Sequence, residues 1–503
     1  MVSRERADRA PARDPRLRSG AARHVRRWPE TVGPVIARRR GVRARLAHLL
    51  ASLAPIQRGE LTTVVLLTIN VFVLLTCYYV LKVVREPLIL LGGGAELKAY
   101  ASAGQTLLLL AVVPAFGWLS SRVSRLRLLT TIQLVFIGCL LAFYVLVQAR
   151  APIGLAFYLW LGIFSVLVVS NFWSFAADLY TPERGKRLFA TIGIGASIGA
   201  VLGAFVPQLL HRVMGTSALL VVAAGGLAVS IVLYRLIDHR ERSHRVKLAR
   251  PTSAEVDPDR RGGFALVIKD RYLRLLAVML LVATIINTTG EYVVGKMATD
   301  RSEVYAAEQA VASPVATTPD ARAAATHDAQ DEYIGRFYSN YYTIVNLVSA
   351  LLQGLVVAWL LTALGIRRAL FIMPLVVLVG WFGLLVFANL TMVRIEKTSE
   401  NSLDYSLHNT LRGALFLPTT RAAKYRAKAA IDTFFFRMGD VIAGLGIVFL
   451  LVRVLGLGIQ AFAALNVCLA VCWLVLAYRT GRMYDEMVAD HVEPEAHPGR
   501  IAA

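Results

Sequence analysis

Charged and polar side chains stand inside or at the ends of long apolar stretches of this sequence, where a lipid bilayer would surround them. An ionised group at the bilayer centre costs roughly 3 kcal/mol on insertion scales, so a set of them predicts a hydrated cavity that binds a charged solute. We take these residues as candidate substrate-binding residues. The set is Lys82, Arg85, Glu86, Asp178, Arg187, Asn287, Glu291, Lys296, Asp432, Arg437 and Asp440.

Two interpretations of these residues are open. Lys82, Arg85, Glu86 and Lys296 lie near the ends of apolar stretches, from which long side chains reach the lipid headgroups at little cost. Arg437 lies deeper in its stretch, so this interpretation suits it less well. Guanidinium groups match the geometry of phosphate oxygens, and Arg85 and Arg437 could therefore both bind an anionic substrate.

The elements that must position these residues are helices that cross a membrane. Hydrophobic residues make up 56% of the chain and charged residues 17%, and the apolar stretches reach the length of about 20 residues that crosses the hydrocarbon. They predict an all-α integral membrane protein with twelve transmembrane helices in two pseudo-symmetric six-helix halves. The predicted spans are 61–82, 98–119, 128–148, 152–178, 188–210, 217–236, 273–297, 337–361, 368–390, 395–417, 430–453 and 458–478.

The tenth span, 395–417, is not evident from hydropathy because it is rich in charged residues. It is predicted from the symmetry of the two halves and from topology, since without it the basic residues that follow would face the wrong side. Its polar side chains are expected to face the interior of the bundle. They are Glu396, Lys397, Glu400, Asp404, His408 and Arg412.

The basic residues between spans predict which helix ends are cytoplasmic. Clusters of Lys and Arg follow the second, fourth, eighth and tenth spans, beginning at Arg122, Arg184, Arg367 and Arg421. Such residues in short loops stay on the cytoplasmic side. Both termini are therefore predicted to be cytoplasmic, and the predicted location is a bacterial inner membrane.

This topology divides the chain into consecutive parts. The second half includes a predicted flexible outer loop at 298–334, because this stretch is acidic and rich in Ala, Thr and Pro. The predicted parts are a basic, mostly disordered cytoplasmic arm (1–57), the first six-helix half (58–237), a cytoplasmic linker (238–271), the second six-helix half (272–480) and a cytoplasmic tail (481–503).

Several classes of function are excluded by composition and motifs. Much of the net charge of +22 lies in the 1–57 arm, which suits anionic membrane lipid rather than nucleic acid. The four cysteines fall inside predicted spans, so no metal or cofactor is predicted. The set of Gly193, Gly195, Gly199 and Gly203 favours close helix packing over a nucleotide-binding loop. Without a catalytic motif the chain is not expected to be an enzyme, and nothing predicts its oligomeric state.

Four segments, in the same order, resemble the ATP/ADP translocases of plastids and obligate intracellular bacteria. The first is YYVLKVVREPL, which ends at Leu88, and the second is FWSFAADLYTPERGKRLF, which begins at Phe172. The third is YSLH from Tyr405 with the later LPT, and the fourth is KAAID from Lys428 with the later RMG. The resemblance covers roughly residues 55–480. It implies a major facilitator-like carrier of twelve helices that exchanges adenine nucleotides and binds their phosphates with basic residues of its cavity.

Other positions depart from the translocase pattern. Where those proteins have a Glu in the fourth span this chain has Leu161, and where they have Asn after Phe-Ala it has Ala177. Their Glu after Pro-Thr-Lys is Arg421 here, and their Lys after Arg-x-Gly is Asp440. Two of these differences reverse a charge. The chain therefore resembles a divergent member of the family.

Three functions agree with these features. The first is a secondary transporter that exchanges nucleotides of the ATP/ADP type by alternating access. The second is a carrier for another anionic metabolite, coupled to protons through Glu291 or Asp440. The third is a membrane sensor or scaffold that derives from a transporter and moves no substrate.

Overall fold

The computed structural model describes residues 60–120, 122–180, 182–245, 262–312, 318–420 and 423–492, and no strand occurs among them. All of these residues belong to one compact unit, Ala54–Ala503. The predicted arm at 1–57, residues 246–261 of the predicted linker, and Arg421 lie outside the described residues.

Six spans form the first half. The helix Leu61–Ser120 turns back at Gly94, where φ is 73°, and provides span 1 (61–92) and span 2 (95–120). The helix Pro182–Arg245 turns back at Gly215 and provides span 5 (182–214) and span 6 (216–245). Span 3 is Arg125–Gln148, and span 4 comprises Gly154–Phe164, the π-helical turn Ser165–Val169 and Ser170–Leu179.

The second half follows the short helix Gly263–Lys269 and has the same number of spans. Span 7 is Arg271–Ala312, and span 8 is Pro319–Leu351 with Leu352–Val356 and the part of Val357–Ala369 before Gly365. Spans 9 and 12 are Ile372–Val386 and Ile459–Val492. Span 10 comprises Leu390–Leu403, the π-helical turn Asp404–His408 and Asn409–Ala414. Span 11 comprises Ala423–Ala427, Lys428–Ala430, Ile431–Phe435, Phe436–Val441 and Ile442–Val454.

The prediction of twelve spans in two sixes is confirmed. Among the described residues, nine helices are long and apolar enough to cross a membrane, and one of them, Leu61–Ser120, contains two spans. Span 9 is apolar but shorter, and span 10 fails the hydropathy criterion, as its charges predict. We call the side on which spans 1 and 7 begin the terminal side and the opposite side the loop side.

The prediction of a flexible loop at 298–334 is wrong for the described residues. Span 7 continues as a helix to Ala312 and span 8 begins at Pro319, so that 313–317 alone lies outside the description. The reason is that an alanine-rich stretch has a high helix propensity. In addition, Thr318 Oγ1 caps span 8 by accepting a hydrogen bond from the Ala321 amide at 3.2 Å. Helix also extends into the predicted linker, to Arg245, and into the predicted tail, to Val492.

The glycine repeat of span 5 packs against span 1, as predicted. A Cβ atom at Gly195, Gly199 or Gly203 would lie 2.4 Å from a backbone oxygen of span 1, closer than real side chains allow. Thr76 Oγ1 of span 1 also donates a hydrogen bond to the Gly199 carbonyl at 3.3 Å. Small residues let membrane helices approach backbone to backbone. Span 1, which carries Lys82 to Glu86, is therefore held firmly in the first half.

Candidate functional site at the boundary of the two halves

The two halves meet along spans 1, 2 and 5 of the first and spans 7, 8, 10 and 11 of the second. Ser339 Oγ of span 8 donates a hydrogen bond to the Ala204 carbonyl of span 5 at 2.6 Å. Asn346 Nδ2, about two turns further along the same face of span 8, donates to the Ala200 carbonyl at 3.0 Å. Side chains at this boundary are therefore enclosed by protein rather than by lipid.

A network of charges joins spans 1, 2 and 7 at the boundary. Lys98 Nζ lies 2.8 Å from Glu86 Oε2 and 3.2 Å from Glu291 Oε2, so one ammonium group links the first half to the second. Arg85 also pairs with Glu86, and Tyr342 OH donates a hydrogen bond to Glu86 Oε1 at 2.9 Å. Glu86 is fully buried, so it depends on these partners to remain charged.

Tyrosine rings surround the cations of span 1. Lys82 Nζ lies 4.2 Å from the ring centroid of Tyr342 and donates a hydrogen bond to Tyr405 OH at 3.3 Å. The Arg85 guanidinium lies 4.5 Å from the ring centroid of Tyr158. Aromatic faces attract cations without adding a negative charge. Lys82, which forms no ion pair with a carboxylate among the described residues, therefore keeps its charge available for an anion.

Span 10 contributes a second buried cluster. Lys397 Nζ lies 2.9 Å from Glu400 Oε2 and donates hydrogen bonds to Asn287 Oδ1 at 3.0 Å and to the Asn287 carbonyl at 3.3 Å. Gly290 makes room for this side chain, because a Cβ there would lie 2.8 Å from Lys397 Cδ. Lys397 and Glu400 are almost completely buried, so these charges of span 10 face the bundle interior as predicted.

Asn401 and Tyr341 connect the two clusters. Asn401 Nδ2 donates hydrogen bonds to Tyr341 OH at 2.6 Å and to Glu291 Oε1 at 3.2 Å. Tyr341 OH in turn lies 3.4 Å from the Lys397 carbonyl. A continuous polar network therefore runs from Glu86 in span 1 to Lys397 in span 10, across the boundary of the halves.

Arg437 and Asp440 of span 11 lie at the same boundary. Asp440 accepts hydrogen bonds from Thr288 Oγ1 of span 7 at 2.6 Å and from Thr106 Oγ1 of span 2 at 3.4 Å. Arg437 is partly exposed and interacts electrostatically with Asp440. It makes no hydrogen bond or ion pair within the described part of the chain, and its guanidinium is free to bind an anion.

Other predicted site residues lie away from the network. Asp178 pairs at 2.9 Å with an arginine at the start of span 3, and Lys296 pairs at 2.8 Å with an aspartate one turn further along span 7. Asp432 pairs at 2.9 Å with a lysine on its own helix. The side chain of Arg187 lies outside the described residues. The predicted residues that the structure brings together are Lys82, Arg85, Glu86, Asn287 and Glu291, with Arg437 and Asp440 at the same boundary.

Some residues of the network are absent from the predicted set. Lys98 stands at the first residue of the predicted span 98–119, so nothing marks it as a buried charge. Tyr338 OH accepts a hydrogen bond from Lys98 Nζ at 3.3 Å. Tyr338 and Tyr342 are four residues apart, which places them on one side of a helix, and this spacing could have identified them. Lys397 and Glu400 are predicted to face the interior, but not to belong to the site.

Residues 60–301 match the family model described as Major Facilitator Superfamily. The chain has the major facilitator fold. Solved structures with this fold cover 84% of the chain at low identity, which shows the fold alone. They are the nucleoside transporter NupG (13% identity, 99% of that chain, TM-score 0.53), a POT family transporter in complex with 5-aminolevulinic acid (14%, 96%, 0.56) and a bacterial homologue of the iron transporter ferroportin in an inward-facing state (11%, 100%, 0.57).

A curated relative extends over nearly the whole chain. The ADP,ATP carrier protein 2 of Chlamydia pneumoniae is 21% identical over an alignment of 544 residues, which covers 90% of this chain and 94% of the carrier. The resemblance to ATP/ADP translocases inferred from the four segments is thereby confirmed, at the level of a distant relative. The chain is a multi-pass membrane transporter, and not an enzyme.

Proposed function

We propose that this transporter exchanges adenine nucleotides, ATP and ADP, by alternating access between its two halves. The observation that carries the proposal is a set of four cations at the boundary of the halves: Lys82, Arg85 and Lys98 from the first half and Lys397 from the second. Nucleotide phosphates carry several negative charges, and cations that are shielded from water bind phosphate oxygens strongly. The similarity to an ADP,ATP carrier supports the same substrate.

Competition between phosphate and carboxylate couples substrate binding to movement. Lys98 is held by Glu86 and Glu291, and this link keeps span 2 against span 7. A substrate phosphate that takes the ammonium group of Lys98 breaks the link between the halves. A ligand can shift a conformational equilibrium only by binding one state better, and the change of partners supplies that difference. The empty carrier keeps its link, which favours exchange over net flux.

We infer that the two halves are closed on the loop side. The hydrogen bonds and ion pairs between the halves include the Thr106–Asp440 contact at the boundary and the Arg150–Asp328 pair on the loop side. Opening on the terminal side would then admit substrate from the compartment that the basic loops face. The positive-inside rule makes that compartment the cytoplasm, with both termini in it, for a protein of the bacterial inner membrane.

Counterflow into proteoliposomes tests the exchange. Purified protein is reconstituted into vesicles that are either empty or preloaded with ADP, and labelled ATP is added outside. We expect labelled ATP to accumulate only in preloaded vesicles. Entry that is independent of internal nucleotide, or no entry at all, would contradict nucleotide exchange.

Arginine variants test the site. Arg85→Ala and Arg437→Ala are expected to abolish counterflow while the amount of inserted protein stays unchanged. Arg482→Ala is the matched control, because Arg482 is exposed at the end of span 12 and pairs with Glu486 at 3.0 Å, and it should keep the wild-type rate. Unchanged uptake by both site variants would sink this assignment.

A carrier for another anionic metabolite is the second candidate. Asp440 stands where the translocases have a lysine, and it adds a negative charge between Thr106 and Thr288 at the boundary. This position favours a substrate with fewer negative charges than ATP. Preloading the vesicles with a sugar phosphate instead of ADP separates the two candidates. If no anion is exchanged under any condition, the third function, a sensor or scaffold, remains.

A further inference from the structure

We propose that Glu396, Lys397 and Glu400 of span 10 form a proton-binding site, and that transport by this protein depends on the proton held there. The proposal rests on the transporter function but not on which anion is carried. It concerns residues that the proposed substrate site does not use, apart from Lys397.

Glu396 has no donor for its carboxylate. Its relative exposure is 3%, and neither oxygen accepts a hydrogen bond within the described part of the chain. Glu400 is 1% exposed and Lys397 is fully buried. Two buried carboxyl groups thus share one ammonium group. A single proton makes the cluster neutral, whereas its absence leaves a net negative charge in a low dielectric.

Lys397, the cation of the cluster, already has partners other than Glu396. Lys397 Nζ contacts Glu400 Oε2 at 2.9 Å and both oxygens of Asn287, and none of its bonds goes to Glu396. Glu396 and Glu400 are four residues apart on the same helix, so the two acidic side chains lie on one face of span 10. Two neighbouring buried carboxyl groups disfavour each other's ionised form, so one proton on the pair is favoured.

The elements packed around Glu396 supply no other compensating charge. Span 9, Ile372–Val386, contains no ionisable residue, and its Gly380 lets the Glu396 side chain lie against the helix, since a Cβ there would be 2.4 Å from Glu396 Cγ. Span 7 presents Glu291 and span 8 presents the hydroxyl of Tyr341. On span 10 itself, Asp404 is the next acidic group and acts on Glu400. The nearby acids Glu291 and Asp404 favour the bound proton, and the charge of Glu291 is paired with Lys98 at 3.2 Å.

Glu291 and Asp440, the acids that the sequence suggests as proton carriers, already have ion-pair or hydrogen-bond partners. Glu291 is paired with Lys98 at 3.2 Å and accepts a hydrogen bond from Asn401, so it is stabilised as a carboxylate. Asp440 accepts hydrogen bonds from two threonine hydroxyls. Both carboxyl oxygens of Glu396 are buried without a hydrogen-bond partner among the described residues, and the geometry therefore places the proton in span 10.

Loss of the proton has a structural consequence. When the proton passes from Glu396 to water, Glu396 becomes a second anionic partner for Lys397. The Lys397 ammonium then moves from the Asn287 oxygens toward Glu396, and the contact between spans 7 and 10 is released. Because Asn287 lies one turn from Glu291, which holds Lys98, the release reaches the link between the two halves. Proton binding and opening of the halves are thereby coupled.

Infrared spectroscopy of the purified protein tests the site without any substrate. We expect the carbonyl stretching band of a protonated carboxylic acid at neutral pH, and its amplitude should fall in Glu396→Gln. Glu486→Gln, at an exposed glutamate that pairs with Arg482, should leave the band unchanged. A band of equal amplitude in wild type and Glu396→Gln would overturn the proposal. If Glu396→Gln does not fold, Glu396→Asp should keep a band with a shifted frequency, and an unshifted band would overturn the proposal as well.

The pH dependence of counterflow tests the coupling. Labelled ATP uptake into ADP-loaded vesicles, buffered to the same pH on both sides, is expected to fall at least tenfold for the wild type as the pH rises. Glu396→Gln keeps the neutral form and should be insensitive to pH, while Glu486→Gln should follow the wild type. A variant profile that matches the wild type would contradict the coupling. Absence of all ATP counterflow would contradict nucleotide exchange, but the infrared result would still decide the proton site.

Discussion

Spans 4 and 10 are the fourth helices of their respective halves, and both contain a π-helical turn, at Ser165–Val169 and Asp404–His408. Span 4 packs through aromatic rings. Phe157, Trp160 and Phe164 meet one another and two phenylalanines of span 3 at centroid distances of 5.1 to 5.5 Å. Span 10, at the equivalent position in the second half, carries buried charged side chains instead.

The difference shows how one architecture divides its tasks. Ring contacts gain energy only from close packing, so span 4 forms a fixed wall of the first half. The ion pair of Lys397 with Glu400 can be replaced in two ways. A proton can bind a carboxyl group of the cluster, and an anionic substrate can bind the ammonium group of Lys397, so span 10 can respond to both. The first half instead carries its cations on spans 1 and 2, as Lys82, Arg85 and Lys98.

Removal of the span 10 cation should have the largest effect. Lys397→Met leaves Glu400 as a buried carboxylate without its partner, which should lower the free energy of unfolding by about 3–5 kcal/mol. Unfolding of the purified protein in detergent by denaturant measures this loss. The double variant Lys397→Met/Glu400→Gln should recover most of the stability, and an equal loss in both would show that charge is not the cause.

A charge placed in span 4 tests the comparison from the other side. Leu161→Glu introduces a carboxyl group at a buried position of the aromatic wall, where the translocases have a glutamate. We expect the free energy of unfolding to fall by about 3 kcal/mol, because aromatic rings do not compensate the charge of a buried carboxylate. Leu161→Met keeps the volume and should cost less than about 1.5 kcal/mol. Wild-type stability of Leu161→Glu would mean that span 4 can accept charge as span 10 does.

A smaller change in the wall should affect stability without affecting the site. Phe157→Leu removes ring contacts with Phe143 and Trp160 and should cost about 1–2 kcal/mol in the free energy of unfolding. The substrate concentration that gives half-maximal counterflow should stay the same. A clear change in that concentration would show that span 4 also shapes the substrate site.

The smallest effect is expected from a single hydroxyl of span 8. Tyr342→Phe removes the hydrogen bond to Glu86 but keeps the ring near Lys82. The free energy of unfolding should therefore fall by about 1 kcal/mol. Tyr342→Leu removes the ring as well and should weaken counterflow further. Equal behaviour of the two variants would indicate that the ring makes no contribution to holding Lys82.

Much of the fold could be predicted because each membrane span can be recognised from the composition of one continuous stretch of sequence. Runs of about 20 apolar residues locate most of them. Span 10 needed symmetry and topology, since Lys397 and Glu400 conceal it from hydropathy. The stretch 298–334 was predicted wrongly, because its composition suits an exposed helix as well as a loop.

The site could be predicted only in part. Lys82, Arg85 and Glu86 stand out because charges in an apolar stretch are costly. Lys296 and Asp432 carry the same local pattern, yet both lie away from the network. Lys296 pairs on its own helix, and Asp432 pairs with a lysine on its own helix and with Arg412 of span 10. Lys98 lacks the pattern and is nevertheless the residue that joins the two halves.

By itself the sequence determined the number and order of the spans and which of them carry charged residues. The reason is that the transfer of a residue into hydrocarbon depends on its own side chain and its near neighbours. Only the tertiary structure decided which charges meet. Lys98 and Glu291 are 193 residues apart, and Lys397 and Asn287 are 110 apart. Their contacts depend on the rotation and depth of each packed helix, which no local pattern specifies.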